Sequence, residues 1–298
     1  MSLNLTVTDM FCGAGGSTTG AVFAGAEVRL AINHWARAIE THHTNYPQID
    51  HRLTDLLTAR PHAFPSTTIL VASPECTSHS LAKGRQRKYE GQPGLWESRA
   101  PNAAEERSRC TMYTPLEWAE HHDYQIVILE NVVDIQYWRP LPGWLLSWKN
   151  LGYDYEFVHF NSMFAWPTPQ SRDRVYFVAW KQGNRRPDLR ITPQAFCTVC
   201  AKDVEAIQSW KHGRKKWGKY GRAGQYVYRC RDCAGEITPY YFAAATAIDW
   251  SRPIQRIGDR KKPLKEKTLN RIASGLEKFA HEPFLISLNH LHPQAISV

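Results

Sequence analysis

From residue 5 to residue 180 the chain alternates short apolar runs with stretches of helical character, and this alternation restricts its possible folds more than any other feature. Residues 5–11 read as an apolar strand, 16–25 as the small-residue start of a helix, 28–32 as a second strand and 35–46 as a second helix. Residues 67–72 and 125–129 supply further strands with helical segments near them. The run Arg-Val-Tyr-Phe-Val-Ala-Trp at 174–180 has the unbroken apolar character of a buried strand. Strands separated by helices predict a doubly wound α/β sheet, in which ligands bind beyond the carboxyl ends of the strands.

Two stretches break the rhythm. Residues 83–109 carry Lys83, Arg85, Arg87 and Lys88 among prolines and glycines, and read as a long mobile or disordered loop. Beyond residue 180, 183–195 is a polar, proline-bearing linker, 196–245 holds paired cysteines among basic and aromatic residues, and 246–298 contains one helical pattern at 264–279. The net charge of +9 and pI near 9.2 suit an anionic partner, nucleic acid first. No apolar run approaches the length of a membrane span and the N-terminus has no signal-peptide pattern, so the expected location is the cytoplasm, with no membrane partner. The seven cysteines then read as reduced thiols or metal ligands.

Several strand ends carry chemically capable residues. Ser-Pro-Glu-Cys-Thr-Ser-His-Ser at 73–80 follows directly on the strand at 67–72, so Cys76 lies at the lip of the sheet, where a thiol can serve as an exposed nucleophile. Phe11-Cys12-Gly13-Ala14-Gly15-Gly16 follows a strand and opens a helix. Glycines there let backbone approach a ligand, and a helix N-terminus favours a carboxylate; a plain tight turn has the same appearance. Asp55, followed by Leu56, comes after the next strand–helix unit and suits an adenine amino group or simply the surface. Trp35 suits an adenine face or the core.

Taken in order, Phe-x-Gly-x-Gly-Gly at 11–16, Pro-x-Cys at 74–76, Glu-Asn-Val at 130–132 and Gln-x-Arg-x-Arg at 170–174 resemble the cytosine-5 DNA methyltransferase family over residues 5–180. The resemblance implies a class I methyltransferase-like (Rossmann-like) α/β fold: a mixed seven-stranded sheet with helices on both faces. It implies S-adenosylmethionine as cofactor and double-stranded DNA as partner, with the target cytosine rotated out of the stack. Cys76 matches the family's nucleophile, which adds to carbon 6 of the base. Glu130, placed at the end of the strand 125–129, would contact ring nitrogen 3 and the amino group. Asn131 would position the cysteine loop, Arg174 would support base and cysteine, and Gln170 and Arg172 would order the same wall. Phe11, Gly13, Gly15, Gly16, Trp35, Asp55 and Leu56 fall to the cofactor. His34 joins them, standing where the family carries an acidic residue for the ribose hydroxyls. Glu75 directly before Cys76 and Thr77 directly after it also depart from the usual pattern. The basic stretch 83–109 lies where the family's mobile loop closes over DNA. The family's C-terminal motifs are not found before Val298, so a truncated chain, or a second chain supplying the rest, is expected.

Cys197-Thr-Val-Cys200 and Cys230-Arg-Asp-Cys233, with 29 residues between the pairs, suit one tetrahedral structural zinc better than unligated thiols or a redox pair. The gap interleaves Lys211, Arg214, Lys215, Lys216, Lys219 and Arg222 with Trp210, Trp217, Tyr220 and Tyr226, which fits nucleic-acid contact or a solvated basic hairpin. Cys12 and Cys110 read as buried small residues. The expected division is a catalytic, S-adenosylmethionine-binding domain at 1–182, a linker and zinc ribbon at 183–245, and a C-terminal helical segment at 246–298. DNA cytosine-5 methylation leads among functions. The alternatives are methylation of RNA cytosine and a zinc-stabilised nucleic-acid-binding protein with impaired catalysis. Restriction–modification and phage self-protection are the roles open to it.

Overall fold

A computed structural model describes residues 5–75, 110–165, 168–213, 216–251, 253, 256–279, 284–286 and 295–297. Its centre is a seven-stranded sheet in the order β3-β2-β1-β4-β5-β7-β6. The strands are β1 (Thr6–Met10), β2 (Glu27–Asn33), β3 (Asp50–Leu53), β4 (Ile69–Ala72), β5 (Ile126–Val132), β6 (Tyr153–Asn161) and β7 (Asp173–Lys181). β1 to β5 run parallel, while β7 lies antiparallel between β5 and β6. This is the mixed sheet expected of a class I methyltransferase-like fold, with a separate small antiparallel sheet attached.

Period-two alternation, interrupted in β2 by a bulge between Val28 and Leu30, sorts the strand residues onto two faces. Leu30, Ile32, Leu70, Ala72, Val127 and Leu129 join one buried cluster with Trp118, Trp144 and Trp148. Val28, Ala31 and Ile69 join another, against which Ala21, Ile39 and Tyr46 pack. Helices α1 (Gly16–Phe23) and α2 (Ala36–Asn45) therefore cover one face, and α3 (Thr114–His122) and α4 (Leu141–Asn150) the other. The first face is small-residue and the second is tryptophan-rich, so most of the apolar burial lies under α3 and α4.

The small sheet comprises β8 (Gln194–Cys197), β9 (Lys202–Trp210), β10 (Tyr226–Cys230) and β11 (Glu236–Ile237), in the order β11-β10-β9-β8. Its core of Ala195, Val204, Ala206, Tyr226 and Tyr228 is continuous with Phe160 and Phe164 at the end of β6. Further on, α5 (Glu266–Phe279) packs beside a two-stranded pair, β12 (Phe284–Ile286) and β13 (Ala295–Ser297).

Several local expectations change. The strand expected at 125–129 continues to Val132, because Glu130, Asn131 and Val132 pair with Tyr176, Val175 and Arg174 of β7. Glu130 is thus a strand residue and does not end the strand. The strand expected at 67–72 is shorter, since Thr67 and Thr68 bond through their hydroxyls to Thr8 and Thr6 ahead of it. Cys12 is buried as expected, but Cys110 is exposed at the start of the turn leading into α3.

Candidate active site

The carboxyl ends of β1, β2, β4 and β5, the end of β6 and the start of β7 all meet along one edge of the sheet. β1 leads there into the glycine turn, where Phe11, Gly13 and Gly15 take left-handed backbone (φ 57°, 54° and 100°). Only at Gly15 would a side chain be crowded as well as strained, since a Cβ would lie 3.1 Å from the Tyr46 ring and 3.2 Å from His42. At Gly16, which is exposed, a Cβ would meet nothing within 4 Å, so the first turn of α1 borders open space.

Sequence reasoning missed the acid beneath this turn. Asp9 is buried at the end of β1, and its Oδ2 accepts bonds from the hydroxyls of Ser17 and Thr18, both at 2.7 Å. Its Oδ1 is buried without a hydrogen-bond partner among the described residues. Burial drives the carboxyl up to about 6, against the Ser17 and Thr18 bonds. Thr18 Oγ1 also lies 3.0 Å from His42 Nε2, and His42 Nδ1 lies 2.8 Å from His51 Nε2, which extends the network outward. The signal was available: an acid inside an otherwise uncharged buried strand requires an explanation. Burial, reinforced by Asp9, pushes the neighbouring Cys12 thiol up to about 12, so it is core filling.

The other proposed cofactor residues are dispersed around this mouth. His34 and Trp35 are exposed at the entry to α2, with Trp35 N–H bonded to Asn33 Oδ1 at 2.9 Å. Asp55 Oδ1 accepts from Leu57 N at 3.1 Å, which ties down the turn after β3. Leu56 is buried in the central cluster, so its side chain faces the core and not the mouth.

At β4 the described chain passes through Pro74 and half-buried Glu75 and then stops; Cys76, Thr77 and the basic stretch 83–109 lie outside the described residues. The neighbouring strands supply the rest of the expected set. Asn131 is buried, its amide donating to the Pro74 carbonyl at 3.5 Å and lying 3.4 Å from Met112 Sδ, while its Oδ1 accepts from Val132 N at 2.8 Å. Glu130 and Arg174 meet across β5 and β7 with Nε 2.5 Å from Oε1, and both are largely shielded from solvent. Together with Pro74, Met112, Trp144 and Phe177, Glu130 and Asn131 border a small apolar cleft. Burial there pushes the Glu130 carboxyl above its ordinary range, against the pull of Arg172; the Arg174 contact opposes protonation in the same sense. Burial likewise raises the Tyr176 phenol, with the Glu130 charge adding to it.

Arg172 and Gln170 are exposed on the approach to β7. Gln170 takes part in the wall through its carbonyl, which accepts from Ser162 Oγ at 2.8 Å. Two residues absent from the sequence-based set organise this approach. Asn161 Oδ1 accepts from Arg172 N at 3.0 Å, and Asn161 Nδ2 donates to Asp173 Oδ1 at 3.1 Å.

In the small sheet, the Sγ atoms of Cys197, Cys200, Cys230 and Cys233 all lie within 4.8 Å of one another. Cys197 to Cys233 is 3.6 Å and Cys200 to Cys230 is 3.9 Å. Tetrahedral zinc, with Zn–S of about 2.3 Å, requires edges of about 3.8 Å, so the four thiols fit that ion. Cys200 N and Asp232 N point at Cys197 Sγ and Cys230 Sγ, each at 3.4 Å, and Ala201 and Ala234 turn through left-handed backbone directly after each pair.

The aromatic residues of the gap do not form a stacking platform. Tyr226 is fully buried, and Trp210 and Tyr220 pack against the ribbon core. Trp217 packs against the central cluster. Lys211 is a structural staple, its Nζ donating to the carbonyls of Gly221 (3.0 Å), Gly224 (2.9 Å) and Arg222 (2.5 Å). Lys216, Lys219 and Arg222 remain exposed, Lys219 near Asp134 and Arg222 near Glu236; Arg214 and Lys215 lie outside the described residues.

Comparison with known proteins identifies the family. Type II methyltransferase M.MthTI of Methanothermobacter thermautotrophicus is 24% identical over 184 residues, which is 60% of this chain and 50% of that protein. The chain thus spans about half the length of that relative. Among solved structures, S. pombe Dnmt2 methyltransferase is 18% identical with a TM-score of 0.45, covering 61% of this chain and 51% of that one. A putative DNA modification methyltransferase encoded within an E. coli prophage is 18% identical with a TM-score of 0.47, covering 71% and 62%. Residues 5–219, from β1 into the ribbon hairpin, match the description C-5 cytosine-specific DNA methylase, and the chain belongs to that S-adenosylmethionine-dependent family.

Proposed function

We propose that this chain methylates carbon 5 of cytosine in double-stranded DNA through a transient bond between Cys76 Sγ and carbon 6 of a base rotated out of the duplex. The observation that carries the reading is the Glu130–Arg174 pair at 2.5 Å, joining β5, the neighbour of the strand that leads toward Cys76, to β7 on its far side. Cytosine carbon 5 is a weak nucleophile. Addition of the thiolate at carbon 6 pushes the ring electrons toward nitrogen 3, and a proton from Glu130 there leaves a neutral enamine. Desolvation by the entering base strengthens Glu130's hold on that proton. Arg174, displaced from the protonated carboxyl, would meet the base and the cysteine, and Asn131 holds the Pro74 turn. When bound, S-adenosylmethionine would supply the electrophilic methyl group that carbon 5 takes up. The glycine turn with Phe11, Gly13, Gly15 and Gly16, and the rim residues His34, Trp35, Asp55 and the Leu56 backbone, would hold it. Loss of the carbon 5 proton to a base then expels the thiolate, and return of the nitrogen 3 proton to Glu130 leaves the neutral aromatic base and resets the acid.

Zinc in the four-cysteine site is structural, since four thiolates leave no open position. The division at 182 and 245 separates the sheet that carries the chemistry from the ribbon and from the C-terminal helix. The exposed cations of the ribbon and the 83–109 stretch meet DNA phosphates. Among the described residues no helix is long and apolar enough to cross a membrane.

The test uses protein expressed from its complete reading frame, duplex DNA carrying 5-fluorocytosine, and S-adenosylmethionine. Fluorine at carbon 5 blocks the final elimination, so a denaturant-resistant adduct is expected with the parent and none with Cys76→Ser. Absence of adduct from the folded, cofactor-bound parent overturns the reading. Labelled-methyl transfer to RNA in place of DNA overturns the choice of substrate.

A further inference from the structure

Both chain segments that carry the Glu130–Arg174 pair are fastened to one short stretch of the ribbon. Tyr220 N donates to Asp173 Oδ1 at 2.9 Å, the same oxygen that accepts from Asn161. Trp217 Nε1 donates to the Val133 carbonyl at 2.7 Å, three residues beyond Glu130. Between these anchors the Trp217 ring packs 4.6 Å from Phe157 and 4.7 Å from His159, centroid to centroid, and the Tyr220 ring lies edge-on 4.8 Å from Phe164. Behind them, Gln208 Nε2 of β9 donates to the His159 carbonyl at 2.9 Å.

The stretch that makes these contacts is itself tightly held. At Gly224 a Cβ would lie 2.2 Å from the Lys219 carbonyl oxygen, so the backbone closes on itself there, and Lys211 caps three carbonyls of the same turn. β9 and β10, which carry the turn, begin and end at the cysteine cluster, and Cys197 and Cys230 are packed into the same core as Tyr226, Tyr228, Phe160 and Phe164. A continuous chain of contacts therefore runs from the metal ligands to the wall of the candidate active site.

We propose that the four-cysteine ribbon sets the position of the Glu130–Arg174 wall, with Asp173 and Trp217 as the positioning residues that transmit its hold. This rests on reading Glu130 and Arg174 as the wall that receives the target base. Asp173 is suited to the task because its carboxylate gathers a side chain from the end of β6 and a backbone N–H from the ribbon, while its own carbonyl accepts from Arg174 Nη1 at 2.7 Å. Removing the metal loosens the hairpin, and the wall loses two of its anchors while β1 to β4 keep theirs.

Hydrogen exchange read by mass spectrometry tests this without reference to turnover. Exchange is compared between zinc-loaded protein, chelator-treated protein, Cys200→Ala, Asp173→Ala, Asp173→Asn and Trp217→Phe. Metal removal is expected to raise exchange at least tenfold in residues 197–233 and also in 130–137 and 170–176, with 6–10 and 69–72 unchanged. Asp173→Ala is expected to loosen 130–137 and 170–176 with the zinc content intact. Asp173→Asn, which keeps an acceptor oxygen, is expected to restore protection, and Trp217→Phe to loosen 130–137 alone. With 5-fluorocytosine DNA, Asp173→Ala is expected to slow adduct formation more than tenfold at unchanged DNA affinity. Loosening confined to 197–233 on metal loss, or protected wall segments in Asp173→Ala, overturns the proposal. Coupled exchange in a parent that forms no adduct supports the positioning role and overturns the methylation reading, so the two failures are distinct.

Discussion

Asp9, buried, and Glu130, half-buried, are two carboxyls at the same edge of the sheet, and their surroundings separate them. Folding favours the protonated form of Asp9, whose pKa rises from 3.8 to about 6. The stability tied to that proton is complete below 3.8 and is lost as pH rises through about 6. The loss is on the order of 3 kcal/mol at two pKa units, as an upper bound. Asp9→Asn removes this ionisation, so its melting temperature is expected to gain on the parent's between pH 4 and 7. Buried His42 and His159, held below the usual imidazole range chiefly by desolvation, act in the opposite sense, so the comparison is made between variant and parent at each pH. Glu130→Gln keeps the shape of the side chain but cannot deliver a proton. The rate of adduct formation is expected to fall by roughly 10²- to 10⁴-fold, measured under single-turnover conditions, with little change in melting temperature.

At the scale of elements, the sequence was readable wherever apolar runs were buried on both faces. β1, β2, β4, β5 and β7 were all found this way, and the order of four motifs along them pointed to one edge of the sheet. The edge strands escaped notice. β3 is Asp-His-Arg-Leu, polar because one side faces solvent, and β6 alternates aromatic with polar residues where the ribbon covers it. The extension of β5 through Glu130 and Asn131 was hidden because pairing with β7, and not apolar character, holds those residues in the strand. The cysteine spacing revealed the four-cysteine cluster, but no local pattern shows that Trp217 and the tyrosines between the pairs turn inward and fasten a distant wall. Gly224 tests the fastening turn itself. Gly224→Ala places a Cβ against the Lys219 carbonyl, with an expected cost of about 1–3 kcal/mol, read as earlier zinc release during chelator titration.

At the scale of the whole molecule, the charge of +9 is carried by a chain whose basic ribbon turn and candidate-site edge lie on the same side of the sheet. If the proposed DNA substrate is right, its binding weakens steeply with salt. Lys216→Gln should reduce the slope of log affinity against log salt by about 0.9 if that side chain meets one phosphate, as measured by fluorescence anisotropy. The sheet order also dictates a sequence of assembly. β7 is made last of the seven strands yet sits between β5 and β6, so neither neighbour can complete its backbone pairing until residue 181 has been synthesised. A growing chain on the ribosome carries an open β5 edge through some fifty residues of synthesis, and during that interval the half-built protein is a template for pairing with other chains.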